Sequence, residues 1–370
     1  MTGVASKAGE AGEASVAGSV AGCPMPGLAD LPDDLVRCVL LRCTTRSRVC
    51  LASTCTRFRC LARETPPTKV SLTCRQHPSV LRWLWSTDVA PWVQHLVARR
   101  CLYTDCVWVG FFHRLETLHL AFCRVRIGII WHLPTSLRHV EIHTLVPPPP
   151  LTRVHLTFQR FKALRVLKLS FAWREWDAVF VAKLPKGLRV LHLRGGRALA
   201  VQSFVPKGLR EVQCHASFMV LFTNRLPNGV RRVALECDGG AMWLRDVLPI
   251  RPTRLQALHV RCPSVGFGLM GRLARMRRLR ALTVACDTLV VSWPALASLL
   301  LLQRVELRVA HWLGASQLAP RPPGPLRPCR VVVTVDHVDV TGLVAPDWLT
   351  TRQSEAPEST PPLRPDPTPP

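Results

Sequence analysis

Tyrosine occurs once in the 370 residues, asparagine twice and isoleucine five times. No uninterrupted apolar run reaches the roughly 20 residues that a membrane-spanning helix needs. The longest charge-free stretch, Thr288 to Gln303, is broken by Ser292 and Pro294 and is expected to be a buried helix, with no membrane partner. Residues 1–27 lack an apolar segment behind a basic start, so no secretory signal is expected there. No N-x-S/T acceptor occurs, and none of the 15 cysteines stands in a C-x2-C pair. That spacing excludes a zinc knuckle of the usual kind. The odd, scattered thiols read as reduced and mostly buried, which places the protein in the cytoplasm and/or nucleus. GxxxxGK[ST], HExxH and GxSxG are all missing, and the histidines and acids show no spacing that prearranges a triad. The expectation is therefore a protein that is not an enzyme, without catalytic residues, cofactor or metal.

Positive charge is abundant. The formal net charge is +25, and arginine outnumbers lysine 42 to 7. Such an excess suits nucleic acid or an acidic surface. It also accompanies GC-rich coding, which favours Arg, Ala, Pro and Gly and disfavours Asn, Ile and Tyr. The arginines are spread along the chain rather than packed into runs, which leaves both readings open.

A repeat organises most of the chain. A six-residue unit, apolar at its first, fourth and sixth positions, starts at Leu115 (LETLHL), Leu137 (LRHVEI), Leu164 (LRVLKL), Leu188 (LRVLHL) and Leu209 (LREVQC). It continues at Val230 (VRRVAL), Leu255 (LQALHV), Leu279 (LRALTV) and Leu302 (LQRVEL). Alternation in a strand sends the fourth and sixth side chains to one face. A unit cannot bury that face alone, so the units must stack as a ladder of short parallel strands with helical or extended returns. Cys237, Cys262 and Cys286 follow the sixth position by two residues and continue the inward alternation as small core fillers. The third and fifth positions face outward. A target-binding surface there comprises His119, Glu141, Lys168, His192, Gln213, Arg232, His259 and Arg304. His119, His192 and His259 lie three repeats apart, roughly 14 Å, and cannot share a metal. The second position carries Arg138, Arg165, Arg189, Arg210, Arg231 and Arg280 along one margin. This column is either a grip for acidic or phosphorylated partners or a solvated rim.

The unit resembles the leucine-rich repeat, LxxLxLxxN/C, with Cys123 alone at the N/C position. Proline turns before four copies (Leu133, Leu184, Val205 and Leu226 begin them) resemble the FNIP-type variant. Upstream, LPDDLVRCVLLRC spaces Leu31, Leu35, Val39 and Leu40 at helical intervals, and two further short helical segments carry Val49, Leu51 and Cys55, then Phe58 and Leu61. Leu28 to Glu64 resembles the F-box, with Phe58 where tryptophan is usual. Cys43 replaces a typical leucine, and Thr54 stands where an aliphatic residue is usual.

The resemblance implies an α/β leucine-rich-repeat solenoid, curved and preceded by a small three-helix F-box-like module. It also implies a partner, the Skp-type adaptor of a cullin-RING ubiquitin ligase, bound through Leu31, Pro32, Leu35, Val39 and Leu40. The repeats would then hold an unknown protein target. A cationic scaffold for nucleic acid or acidic proteins is the alternative. The expected organisation is an unstructured segment over 1–27, the helical module over 28–64, a connecting segment over 65–110, the solenoid over 111–345 and a proline-rich tail over 346–370. Trp83, Trp85, Trp92 and Trp108 of the connecting segment are expected in the core. Gly266, Gly268 and Gly271 spell a dinucleotide fingerprint, but Pro263 and two more residues separate it from its strand, which argues against a nucleotide.

Overall fold

The computed structural model describes residues 31–73, 89–100, 106–146, 153–172, 176–202, 204–239, 241–242, 247–249, 251–265, 273, 275–291, 296, 299, 301–315, 330–335 and 338–339. The tail, the first 30 residues, Trp83, Trp85 and the glycine motif lie outside the described residues.

Three helices open the chain: α1 (Asp33–Arg42), α2 (Thr45–Thr54) and α3 (Thr56–Glu64). Pro32 precedes α1 with φ −54°, and Asp33 and Asp34 place negative charge on its first turn. Thr44 Oγ1 accepts from the Ser47 amide to start α2, and Cys55 Sγ accepts from the Phe58 amide to start α3. Val36, Leu40, Ala52, Phe58, Leu61 and Ala62 form a small core of their own. Arg37 bridges α1 to Glu64 at 2.7 Å, and Arg57 pairs with Asp33. Val49 of α2 packs instead into the core of the following domain, so the module seals that end of the solenoid.

The solenoid strands are β1 (Lys69–Thr73), β2 (His95–Arg99), β3 (Thr117–Ala121), β4 (Val125–Arg126), β5 (His139–Val146), β6 (Arg153–Thr157) and β7 (Val166–Phe171). They continue as β8 (Ala178–Lys183), β9 (Val190–Arg194), β10 (Ala198–Val201), β11 (Glu211–Ala216), β12 (Met219–Phe222), β13 (Arg232–Cys237) and β14 (Ala241–Met242). The last are β15 (Ala257–Arg261), β16 (Ser264–Val265), β17 (Ala281–Val291), β18 (Arg304–Ala315), β19 (Arg330–Val335) and β20 (Val338–Asp339). One long sheet runs β1-β2-β3-β5-β7-β9-β11-β13-β15-β17-β18-β19-β20, parallel until the antiparallel β19–β20 pair. A second parallel sheet, β12-β10-β8-β6, is built from the returns. The returns thus take the extended form in this stretch. AVFVAK, ALAV and MVLF are too short for stable helices, and AVFVAK and MVLF alternate as strands do. Val179, Val181, Leu199, Val201 and Val220 join the Leu167, Leu169, Leu191 and Leu193 side chains in one continuous core.

The ladder begins at Lys69 rather than at residue 111, because β1 pairs with β2 and β2 with β3 in matching register. VQHLVA, from Val93, is a repeat unit with Val first and Ala sixth, which hid it among the leucine-based copies. The expected buried helix over 288–303 is also corrected: Thr288 to Val291 extend β17, where β-branched residues favour the strand.

Without an asparagine ladder, the backbone closes its turns in another way. The second-position carbonyl of each coil accepts two amides of the next coil, as Arg189 does from Arg210 and Glu211 at 2.8 and 3.1 Å. Arg138, Arg165, Arg210 and Arg231 repeat that fork. The residue three before each first position accepts its amide, as Pro185 does from Leu188 at 3.1 Å and Met276 from Leu279 at 2.8 Å. Proline is therefore one of several residues that close the entry turn.

Candidate functional site

Two surfaces stand out, one on the helices and one on the long sheet. On α1, Leu35 and Leu41 are 51% and 61% exposed, Pro32 and Cys38 are exposed, and Leu31 and Val39 are half-buried. Positions 35, 38 and 41 follow one another at helical spacing with 31, 35 and 39 beside them, so they form one apolar stripe. Leu40 is corrected as a contact residue. It is fully buried in the module's own core because it sits on the helix face opposite this stripe. Leu41, not anticipated, takes its place on the outside. Contiguous exposed apolar surface of this kind marks an interaction site.

The outward face of the long sheet carries every residue anticipated for target binding. His119, Glu141, Lys168, His192 and Gln213 form one row in mutual register, and His259 belongs to the same row. Arg232 and Arg304 lie in the neighbouring row. Strand alternation continues past the six-residue unit and adds a third row, with Arg194, His215, Glu236, Arg261 and Arg308, which the unit boundary concealed.

The three rows are cross-linked by contacts of carboxylates with histidines and arginines. Glu211 meets His192 at 2.9 Å and Arg232 at 3.7 Å. Glu236 meets His259 at 3.3 Å and His215 at 3.6 Å. The hydrogen bond from His259 holds the Glu236 carboxyl below the usual range, against the opposing effect of burial. Burial pushes His215 down, against the pull of Glu236 and Asp238. Glu306, only 8% exposed, sits between Arg304 at 2.9 Å and Arg308 at 2.5 Å. His215, Glu236, His259, Arg304, Glu306 and Arg308 line a groove of about 960 Å³ running over β11, β13, β15, β17 and β18. Its walls are mixed in charge, so it can hold a polypeptide by paired contacts without selecting one sign.

The arginines at the second position are all exposed along the margin where the strands begin. Arg138 faces Glu116 at 3.7 Å, and Arg165 donates to the Gly187 carbonyl. Trp92 departs from its expected place in the core: it is 48% exposed, with the Arg114 guanidinium 5.2 Å from its ring centre. Among the described residues no helix is long and apolar enough to cross a membrane.

The F-box domain model matches residues 28–69, the three helices and the approach to β1. No curated protein matches the chain. Among solved structures, a leucine-rich-repeat protein of Leptospira interrogans is similar at 15% identity, over 68% of this chain and 81% of that chain, with a TM-score of 0.34. An internalin of Listeria monocytogenes is similar at 12% identity over 76% and 82%, with a TM-score of 0.38. The leucine-rich-repeat ectodomain of a plant membrane receptor kinase from Arabidopsis thaliana is similar at 14% identity over 73% and 37%, with a TM-score of 0.29. The chain combines a helical region matching the F-box with a parallel-strand solenoid of leucine-rich-repeat type.

Proposed function

We propose that the protein is a substrate-recognition adaptor of a Skp-cullin-F-box type ubiquitin ligase. The observation that carries this reading is the uncovered apolar stripe of α1, lying inside the segment that matches the F-box. F-box domains bind Skp-type adaptors, and burying Leu35 and Leu41 on such a partner would remove their surface from water. The outward face of the sheet would hold the protein target, and the ligase would act on it through proximity supplied by its partners. Reconstitution tests the assignment. The chain, mixed with a purified Skp-type adaptor and a cullin-RING pair, should elute as one complex in gel filtration. Separate elution of a folded chain would overturn the ligase role.

A second reading rests on the exposed arginine margin. Five arginines on successive coils stand one strand spacing apart, about 4.8 Å, on a rigid ladder. A cationic scaffold would use them on nucleic acid or acidic proteins, with affinity falling steeply as salt rises. In the same gel-filtration experiment, loss of the adaptor complex together with salt-sensitive capture of a polyanion would favour it.

A further inference from the structure

We propose that His119, Glu141 and His143 form a binding site for a divalent transition-metal ion of the zinc class. The site follows from strand register. His119 on β3 and Glu141 on β5 are direct cross-strand partners, and His143 lies two residues beyond Glu141, on the same outward face. One donor atom from each lies within 4.8 Å of the other two, and no other set of three converges this way among the described residues. His143 Nε2 is 3.2 Å from Glu141 Oε1. Ligands about 2.1 Å from a tetrahedral ion stand about 3.4 Å apart, so that pair is already at coordination spacing. All three side chains are half-buried, and small χ rotations close the remaining distance.

The surroundings orient these donors. Lys168 Nζ holds the other carboxylate oxygen of Glu141 at 3.4 Å, which fixes the carboxylate and leaves Oε1 for the ion. Phe122 stacks on the His143 ring, 6.2 Å between centroids and 18° between planes. Phe122 and Thr144 both adopt left-handed backbone, φ 55° and 65°, without being glycine. Strain of that kind persists where the surrounding structure over-determines a site. The register of β5 shifts between Ile142 and Leu145, next to His143.

Two imidazoles and one carboxylate suit zinc, cobalt or nickel better than calcium or magnesium, which prefer oxygen ligands throughout. Three protein donors leave at least one coordination position for water or for a donor of a docked protein.

Cobalt(II) titration of the metal-free full chain tests the site, because its absorption distinguishes ligand types. One equivalent should produce a visible d–d band with no thiolate-to-cobalt charge-transfer band, and zinc should displace it. His143→Ala and Glu141→Gln should each abolish the band while the circular dichroism stays unchanged. His192→Ala, from a His–Glu pair without a third donor, should leave it intact. No band, a band of thiolate type only, or a band that survives both variants would overturn the proposal.

Discussion

Cys214 stands at the sixth position of its unit, where the other copies carry Leu, Ile, Val or Ala, and it is fully buried between its neighbours. Burial pushes its thiol up to about 12, and Cys286 rises to about 12 from burial and the nearby Asp287 carboxylate. A pKa raised in the folded state means that only the unfolded chain ionises between the ordinary thiol range and 12. The thiol's contribution is therefore fully present below about pH 9 and is lost as pH rises towards 12, at about 1.4 kcal/mol per pH unit for each thiol. Urea unfolding at about pH 8 and about pH 10 should show a smaller loss of stability for Cys214→Val than for the wild type. Equal losses would contradict the burial assigned to this thiol. The inward direction of Cys237, Cys262 and Cys286 was legible from alternation alone. The direction of Leu40 was not, because helical spacing identifies apolar positions without saying which of two adjacent ones, Leu40 or Leu41, meets the core.

The return strands show what the repeat pattern hides at the scale of an element. AVFVAK alternates as clearly as the main strands, but the short length and variable spacing of the return strands give them no periodic signature. Gly195 and Gly196, with φ of 99° and 78°, make the turn from β9 into β10. A Cβ on Gly195 would lie 2.1 Å from the Phe171 carbonyl oxygen, a backbone atom that cannot step aside. A Cβ on Gly196 would find its nearest neighbour at 3.4 Å, in ordinary contact. Gly195→Ala should cost at least about 2 kcal/mol in chemical denaturation, and Gly196→Ala about 1 kcal/mol. Equal costs would mean that the close approach to Phe171 is not what fixes this turn. The entry turns were read from proline, yet the hydrogen bond that closes them is made by backbone and recurs at Met276 without it. The sequence marks the turn only where the residue is conformationally special.

For the whole molecule, stacking explains why the fold was readable and its limits were not. Each coil rests on the next through apolar positions at fixed spacing, so the middle of the ladder announces itself in the sequence. At its start the pattern weakens to Val93 and Ala98, and the helical module takes over the covering role through Val49. The outward direction of the third and fifth positions follows from strand alternation as far as the six-residue unit extends. The carboxylate contacts with histidine and arginine among the outward rows depend on cross-strand register and cannot be read from spacing. The same module that caps the ladder leaves Leu35 and Leu41 in water: one end of the solenoid is closed by helices whose outer apolar stripe is uncovered, and the proposed adaptor would cover it. Calorimetric titration of the full chain with a purified Skp-type adaptor, beside a Leu35→Asp, Leu41→Asp double variant, tests it most directly. Leu35 and Leu41 are 51% and 61% exposed, so covering them contributes about 2–3 kcal/mol, and the variant should bind at least about thirtyfold more weakly with an unchanged circular dichroism spectrum. Equal affinity of the two proteins, or no binding by either, would contradict the account.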